Sequence, residues 1–180
     1  MLTNNDRREL PIRPQTTARR RGRGGDVLQP PGDGASRLSN VRRQQHPGCF
    51  ACGASNCHGL GLEFSEQGDG VVEAQYRCLA TCAGYPGMVH GGVICTLLDG
   101  AMTNCLFAQG VVGVTVEMNV RFRHPMATDQ PATVRAWPEA GGSPIHRLAA
   151  EVTQQDHVVA TATARFLEKS AMQWFGYTTP

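Results

Sequence analysis

Apolar and polar positions alternate along most of the chain from about residue 60 onward. GLGLEF (59–64) and GVVEAQYR (70–77) read as two strands separated by the turn QGDG. Residues 90 to about 108 break that alternation with an apolar run of helical length. Four further segments then have β-branched or alternating character: VGVTVEMNVRFR, PATVRAWPE, IHRLAAEVTQQ and DHVVATATARFLEK, with breaks at HP, GG and QD. Two strands, one helix and four strands predict an α+β fold, an antiparallel sheet wrapped around one long buried helix.

The helical run is GGVICTLLDGAMTNCLFA. Val93, Ile94, Leu97, Leu98, Met102, Cys105 and Leu106 cover most of its circumference, as expected of a helix buried on nearly every side. One stripe differs. Gly92, Thr96, Asp99 and Thr103 recur at spacings of four, three and four, so a polar track with one carboxylate runs along one face. A buried acid is costly unless it is paired, hydrogen-bonded or protonated, and this makes Asp99 a candidate for chemistry. His90-Gly91-Gly92 opens the helix. A glycine pair there lets a ligand oxygen approach bare N–H groups at the positive end of the helix dipole.

Composition changes the picture mainly at the N-terminus. Net charge is +2, but residues 1–45 carry ten arginines against four acids. Rich in Pro, Gly and Arg and poor in apolar residues, this stretch is expected to be a disordered basic extension. It has no interleaved aromatics and no reading module, which argues against nucleic acid as a partner. No apolar signal core is evident and no run reads as a membrane span, so a cytoplasmic location and no membrane partner are expected.

The stretch GYPGMVHGGVICTLLDGAM, followed by GVTVEMNVRFRHP, resembles the signature of PaaI-like acyl-CoA thioesterases of the hotdog superfamily. HGG stands at the helix start, Asp follows nine residues after the His, and the next strand carries a hydroxyl residue and a closing proline. The resemblance covers roughly residues 46–168 and implies a hotdog fold and hydrolysis of acyl-CoA thioesters without a catalytic cofactor. It implies Asp99 as nucleophile or general base and the Gly91 N–H as the group polarising the thioester carbonyl. His90 would shape that end, and Thr115 would orient water or the acid. Gly92 and Thr96 on the helix, and Arg121 and Arg123 on the strand, are the candidate substrate-binding residues. Two departures stand out: Gly84 replaces a polar amide of some relatives, and Gly100 replaces the acid that often follows the aspartate. Gly91 and Asp99 lie eight residues apart on one helix, about 12 Å along its axis. Both cannot meet one carbonyl from one chain, so the mechanism requires at least a dimer, with a tetramer left open.

A second informative stretch is HPGCFACGASNCHGLGL (46–62). Cys49, Cys52, His46 and His58 are the favoured ligands of a compact structural zinc clip, with Cys57 a substitute for either histidine. Reduced thiols packing a loop, or a redox CxxC, are the alternatives. The resulting organisation is an extension (1–45), a hotdog domain (46–169) opened by a Cys/His-rich segment (46–59), and a tail (170–180) whose Trp174 and Phe175 either dock or stay loose. A non-catalytic acyl-CoA sensor and a hotdog dehydratase or hydratase are the competing functions.

Overall fold

A computed structural model describes residues 36–176. The extension up to residue 35 and residues 177–180 lie outside the described residues. Six strands form one antiparallel sheet: β1 (Ser65–Gly68), β2 (Val71–Arg77), β5 (Gly113–Phe122), β6 (Pro131–Pro138), β7 (Ile145–Gln154) and β8 (His157–Glu168). Their spatial order is β1-β2-β6-β7-β8-β5. A small hairpin, β3 (Ala83–Tyr85) and β4 (Met88–Val89), leads into the long helix α2 (Gly91–Ala108).

The sheet wraps α2 because its inner positions are small where the helix crosses. Ala150 on β7 faces Ala162 on β8, and Leu148 faces Ala164. These residues join Val72, Val134, Ala136 and Phe166 in one core with Leu97, Leu98, Met102, Leu106 and Phe107 of α2. Each large side chain so buried contributes about 1.5–3 kcal/mol of transfer free energy. By length and composition α2 does reach what a membrane span requires, with 18 residues and a mean hydropathy of 1.3. The sequence-based expectation that no run does so is corrected here. The helix is 61% buried inside the domain, so its apolarity serves the core.

The four late strands and the helix lie where alternation and period place them. Other segments differ. GLGLEF is not a strand: β1 begins one residue later, at Ser65. The Leu60 and Leu62 N–H groups donate instead to the carbonyls of Phe50 and Ala51 in the Cys/His segment, while Leu62 and Phe64 are buried. The β1–β2 turn narrows to Asp69-Gly70, with φ of 50° and 74°, the left-handed pair that a tight hairpin demands. The stretch expected to be disordered through residue 45 ends in a helix, α1 (Arg37–Gln45). Ser36 caps it through its hydroxyl, which accepts from the Ser39 N–H, and it packs on α2 with Leu38 fully buried. At the other end, Lys169–Phe175 form short 3₁₀ turns in which Ala171 is buried and Trp174 stands exposed.

Candidate active site

The head of α2 is capped by a histidine. His90 is extended (φ −62°, ψ 135°), and its Nδ1 accepts from the Gly92 N–H at 2.9 Å, the task that a Ser or Asp oxygen usually performs. A neutral ring accepting at Nδ1 carries its proton on Nε2. Glycines surround this cap for a steric reason. A Cβ on Gly92 would lie 3.0 Å from His90 Nδ1, and one on Gly84 would lie 3.1 Å from His90 Cα. Gly84 is thus the floor on which the capping ring rests. The His90 carbonyl accepts from the Val93 and Ile94 N–H groups. The Gly91 N–H alone of this first turn has no hydrogen-bond partner among the described residues. Gly91 lines a cavity of about 320 Å³ together with Met88, Ile94, Phe122 and Arg123.

Two turns further on, Asp99 is half-buried, and Thr115 on β5 donates its hydroxyl to Asp99 Oδ1 at 2.6 Å. A β-bulge makes this contact geometrically compatible with the rest of the strand. The β5–β8 register slips between Thr115 and Glu117. Thr115 therefore faces α2 together with Met118 and Val120, which pack on the core, although odd and even positions of a regular strand point to opposite faces. Glu117 turns outward and pairs with Arg165 at 3.3 Å.

The other residues singled out from sequence are placed as follows. The Thr96 hydroxyl donates to the Gly92 carbonyl at 3.0 Å, and the Gly92 N–H is taken by His90, so the polar groups of both are engaged inside the helix. Arg121 and Arg123 are exposed, and only Arg123 lines the Gly91 cavity. Ring and sulfur atoms of His46, Cys49 and Cys52 converge within 4.8 Å of one another. His58 stands outside that cluster, exposed, with its N–H held by the Asn56 side chain. Burial pushes the His46 pKa down, an effect partly opposed by the Asp99 carboxylate. Burial pushes the Cys52 thiol up to about 11, although Asn104 donates to its sulfur at 3.4 Å.

Sequence reasoning missed three contributors. Phe122 sets its ring against Gly91, where a Cβ would meet its Cζ at 3.4 Å. Asn104 ties Cys52 to the helix and also donates to the Gly100 carbonyl at 2.8 Å. Ala51 covers Gly100, where a Cβ would come within 3.0 Å of the Ala51 methyl. The missing acid after Asp99 is thereby explained: the Cys/His segment occupies the space it would need. The CxxCG spacing, read for shape as well as for ligands, was the one available signal for that contact.

Residues 86–161 match the family model described as the thioesterase superfamily. The rat protein named acyl-coenzyme A thioesterase THEM4 is 40% identical over 71 residues, covering 38% of this chain and 30% of that protein. This chain thus spans less than a third of the curated relative it matches. The structure of a hypothetical thioesterase protein from Streptococcus pneumoniae with coenzyme A aligns at a TM-score of 0.57 and 22% identity, covering 60% of this chain and 88% of that one. Escherichia coli PaaI aligns at 0.57 and 20% identity, covering 60% and 83%. Two further structures of the S. pneumoniae protein carry alanine at one threonine and at one aspartate, which lie sixteen residues apart. These likenesses establish the hotdog fold and bear out the resemblance to PaaI-like thioesterases.

Proposed function

We propose, from the premise that residues 86–161 match the thioesterase superfamily within a hotdog fold, that this chain hydrolyses acyl-CoA or aryl-CoA thioesters. The observation that carries the reading is the 2.6 Å hydrogen bond from Thr115 to Asp99, a half-buried acid on an otherwise apolar helix. The same sixteen-residue separation of threonine and aspartate, altered in the S. pneumoniae protein, supports giving these two residues the central role.

With Oδ1 held by Thr115, Asp99 Oδ2 takes a proton from an attacking water. The water oxygen bonds to the thioester carbon, and the unpaired Gly91 N–H receives the developing oxyanion. The C–S bond then breaks, and the coenzyme A thiolate leaves with the proton that Asp99 took from the water, which restores the carboxylate. His90 and Gly92 keep Gly91 pointing outward. Arg123, on the rim of the Gly91 cavity, is placed to meet the anionic groups of coenzyme A; Arg121 lies on β5, outside that cavity's lining.

Gly91 and Asp99 sit about 12 Å apart along one helix, so the working site takes Gly91 from one copy and Asp99 from a second. The edge of β5 supports this arrangement. Among the described residues it pairs only with β8, and it presents Val114, Val116 and Phe122 to the outside. A long apolar edge of this kind is a template for strand addition, here by a second β5.

Thiol release from a panel of short, medium, long and aromatic acyl-CoAs tests the reading, comparing wild type with Asp99→Asn. Turnover lost in the variant with its fold intact supports it. Tight coenzyme A binding without turnover in either protein points to a sensor, and neither binding nor turnover rejects both readings. The two-copy site has its own test. Asp99→Asn and Gly91→Pro chains, each inactive alone, regain activity when mixed and reassociated, because one of the two sites in a mixed dimer carries neither change. No recovery on mixing refutes a site shared between copies.

A further inference from the structure

We propose that His46, Cys49 and Cys52 form a zinc site that clamps the Cys/His segment onto α2 beside Asp99, with the fourth ligand coming from solvent. This site does not depend on the catalytic reading. The three donor atoms lie within 4.8 Å of one another. Tetrahedral zinc with nitrogen at about 2.0 Å and sulfur at about 2.3 Å holds its ligands about 3.5–4 Å apart. Small side-chain rotations close that difference.

The backbone is already folded as a ligand turn. The Cys49 N–H donates to the His46 carbonyl at 3.3 Å, and the Gly53 N–H donates to the Cys49 carbonyl at 2.9 Å. A Cβ at Gly53 would lie 2.3 Å from the Cys49 nitrogen, so only glycine fits after the second cysteine. A second observation points to a ligand independently. His46 Nδ1 is buried with no hydrogen-bond partner, while the ring is fixed edge-on against Phe107 at 4.9 Å. Buried polar atoms without partners are rare in folded proteins and call for an explanation.

Charge and composition favour zinc. Two thiolates, one neutral imidazole and Zn²⁺ sum to zero, so the half-buried site holds no net charge. Sulfur and imidazole donors suit zinc better than the hard cations. On binding, both thiol protons pass to solvent as the two Zn–S bonds form. The set is smaller than sequence spacing suggests, because His58 and Cys57 are exposed and outside the cluster. A cavity of about 370 Å³ lined by Arg42, Arg43, His46, Cys52 and Ser55 gives water or a small anion a route to the fourth position. The clamp fixes Ala51 over Gly100 and Cys52 against Asn104, in the stretch of α2 that directly follows Asp99.

The test uses the full chain, free of any histidine tag and purified without chelator. Elemental analysis is expected to find one zinc ion per chain, and its removal to lower Tm. Reduced, metal-free protein titrated with Co²⁺ is expected to develop a near-ultraviolet thiolate-to-cobalt band. Cys49→Ser and Cys52→Ser should each abolish the band, while His58→Ala and Cys57→Ser keep it. Should the cysteine variants not fold, the wild-type titration still decides. Trace metal with no cobalt band overturns the proposal, as does a Cys49–Cys52 disulfide in the protein as purified. Loss of the band in His58→Ala overturns the three-ligand set.

Discussion

Thr115→Val is the substitution that most directly tests how the acid is held. It is nearly isosteric and removes only the hydroxyl that donates to Asp99 Oδ1 at 2.6 Å. A hydrogen bond to a charged group contributes about 1.5–3 kcal/mol net. Thr115 is exposed and Asp99 half-buried in the single chain, which places this bond toward the lower end. A loss of about 1.5 kcal/mol of transition-state stabilisation is roughly a tenfold fall in kcat/KM. The assay is thiol release on the best acyl-CoA of the panel, for wild type, Thr115→Val, Thr115→Ser, Asp99→Asn and the Thr115→Val/Asp99→Asn pair. Thr115→Ser keeps the donor and should stay within a few-fold of wild type. In the Asp99→Asn background, Thr115→Val should cost nothing further, because the two residues act as one unit. Equal kcat/KM for Thr115→Val and wild type, on a substrate whose turnover Asp99→Asn abolishes, would refute the reasoning.

Gly91→Pro deletes the unpaired N–H and little else. Proline is tolerated at the first position of a helix, and His90 already has the extended backbone that a residue before proline prefers. Loss of an oxyanion donor predicts a fall of about 10²–10³ in kcat with helix content unchanged by circular dichroism; an unchanged kcat would remove Gly91 from the mechanism. Gly100→Glu forces a carboxylate into the space filled by Ala51, and overpacking alone costs about 1–3 kcal/mol. Rapid proteolysis within residues 46–62 is expected, and resistance equal to wild type would contradict the contact. The His146 ring nitrogen lies 2.8 Å from Glu168 and, as the chief cause, holds that carboxyl below its usual range. A carboxyl so lowered adds stability above its unfolded pKa and loses it as pH falls through the folded value. Denaturant melts should therefore separate wild type from Glu168→Gln at neutral pH and converge in acid; a gap that persists in acid would assign the effect to packing.

Local pattern by itself determined the elements that matter most to the fold. Alternation placed β5 to β8, an apolar run of helical length placed α2, and the polar stripe with its glycine-rich start marked Asp99, whereas the roles of His90, Gly91 and Thr115 were implied by the resemblance to PaaI-like thioesterases. These signals are legible because burial against a sheet or around a helix repeats with the period of the backbone. What the pattern left undecided depends on contacts between segments far apart in the chain. Strict alternation would turn Thr115 away from Met118 and Val120. The bulge that brings all three onto α2 arises from how β5 pairs with β8. GLGLEF reads as a strand, yet it gives its N–H groups to the Cys/His segment, because that segment lies on α2 at the two small residues, Gly100 and Ala51, that let it approach. His58 looks equal to His46 as a ligand in sequence, but only the folded turn brings His46 to the two sulfurs. Period is a property of one segment and can be read along the chain, whereas register and close approach belong to pairs of segments and exist only once the chain has folded.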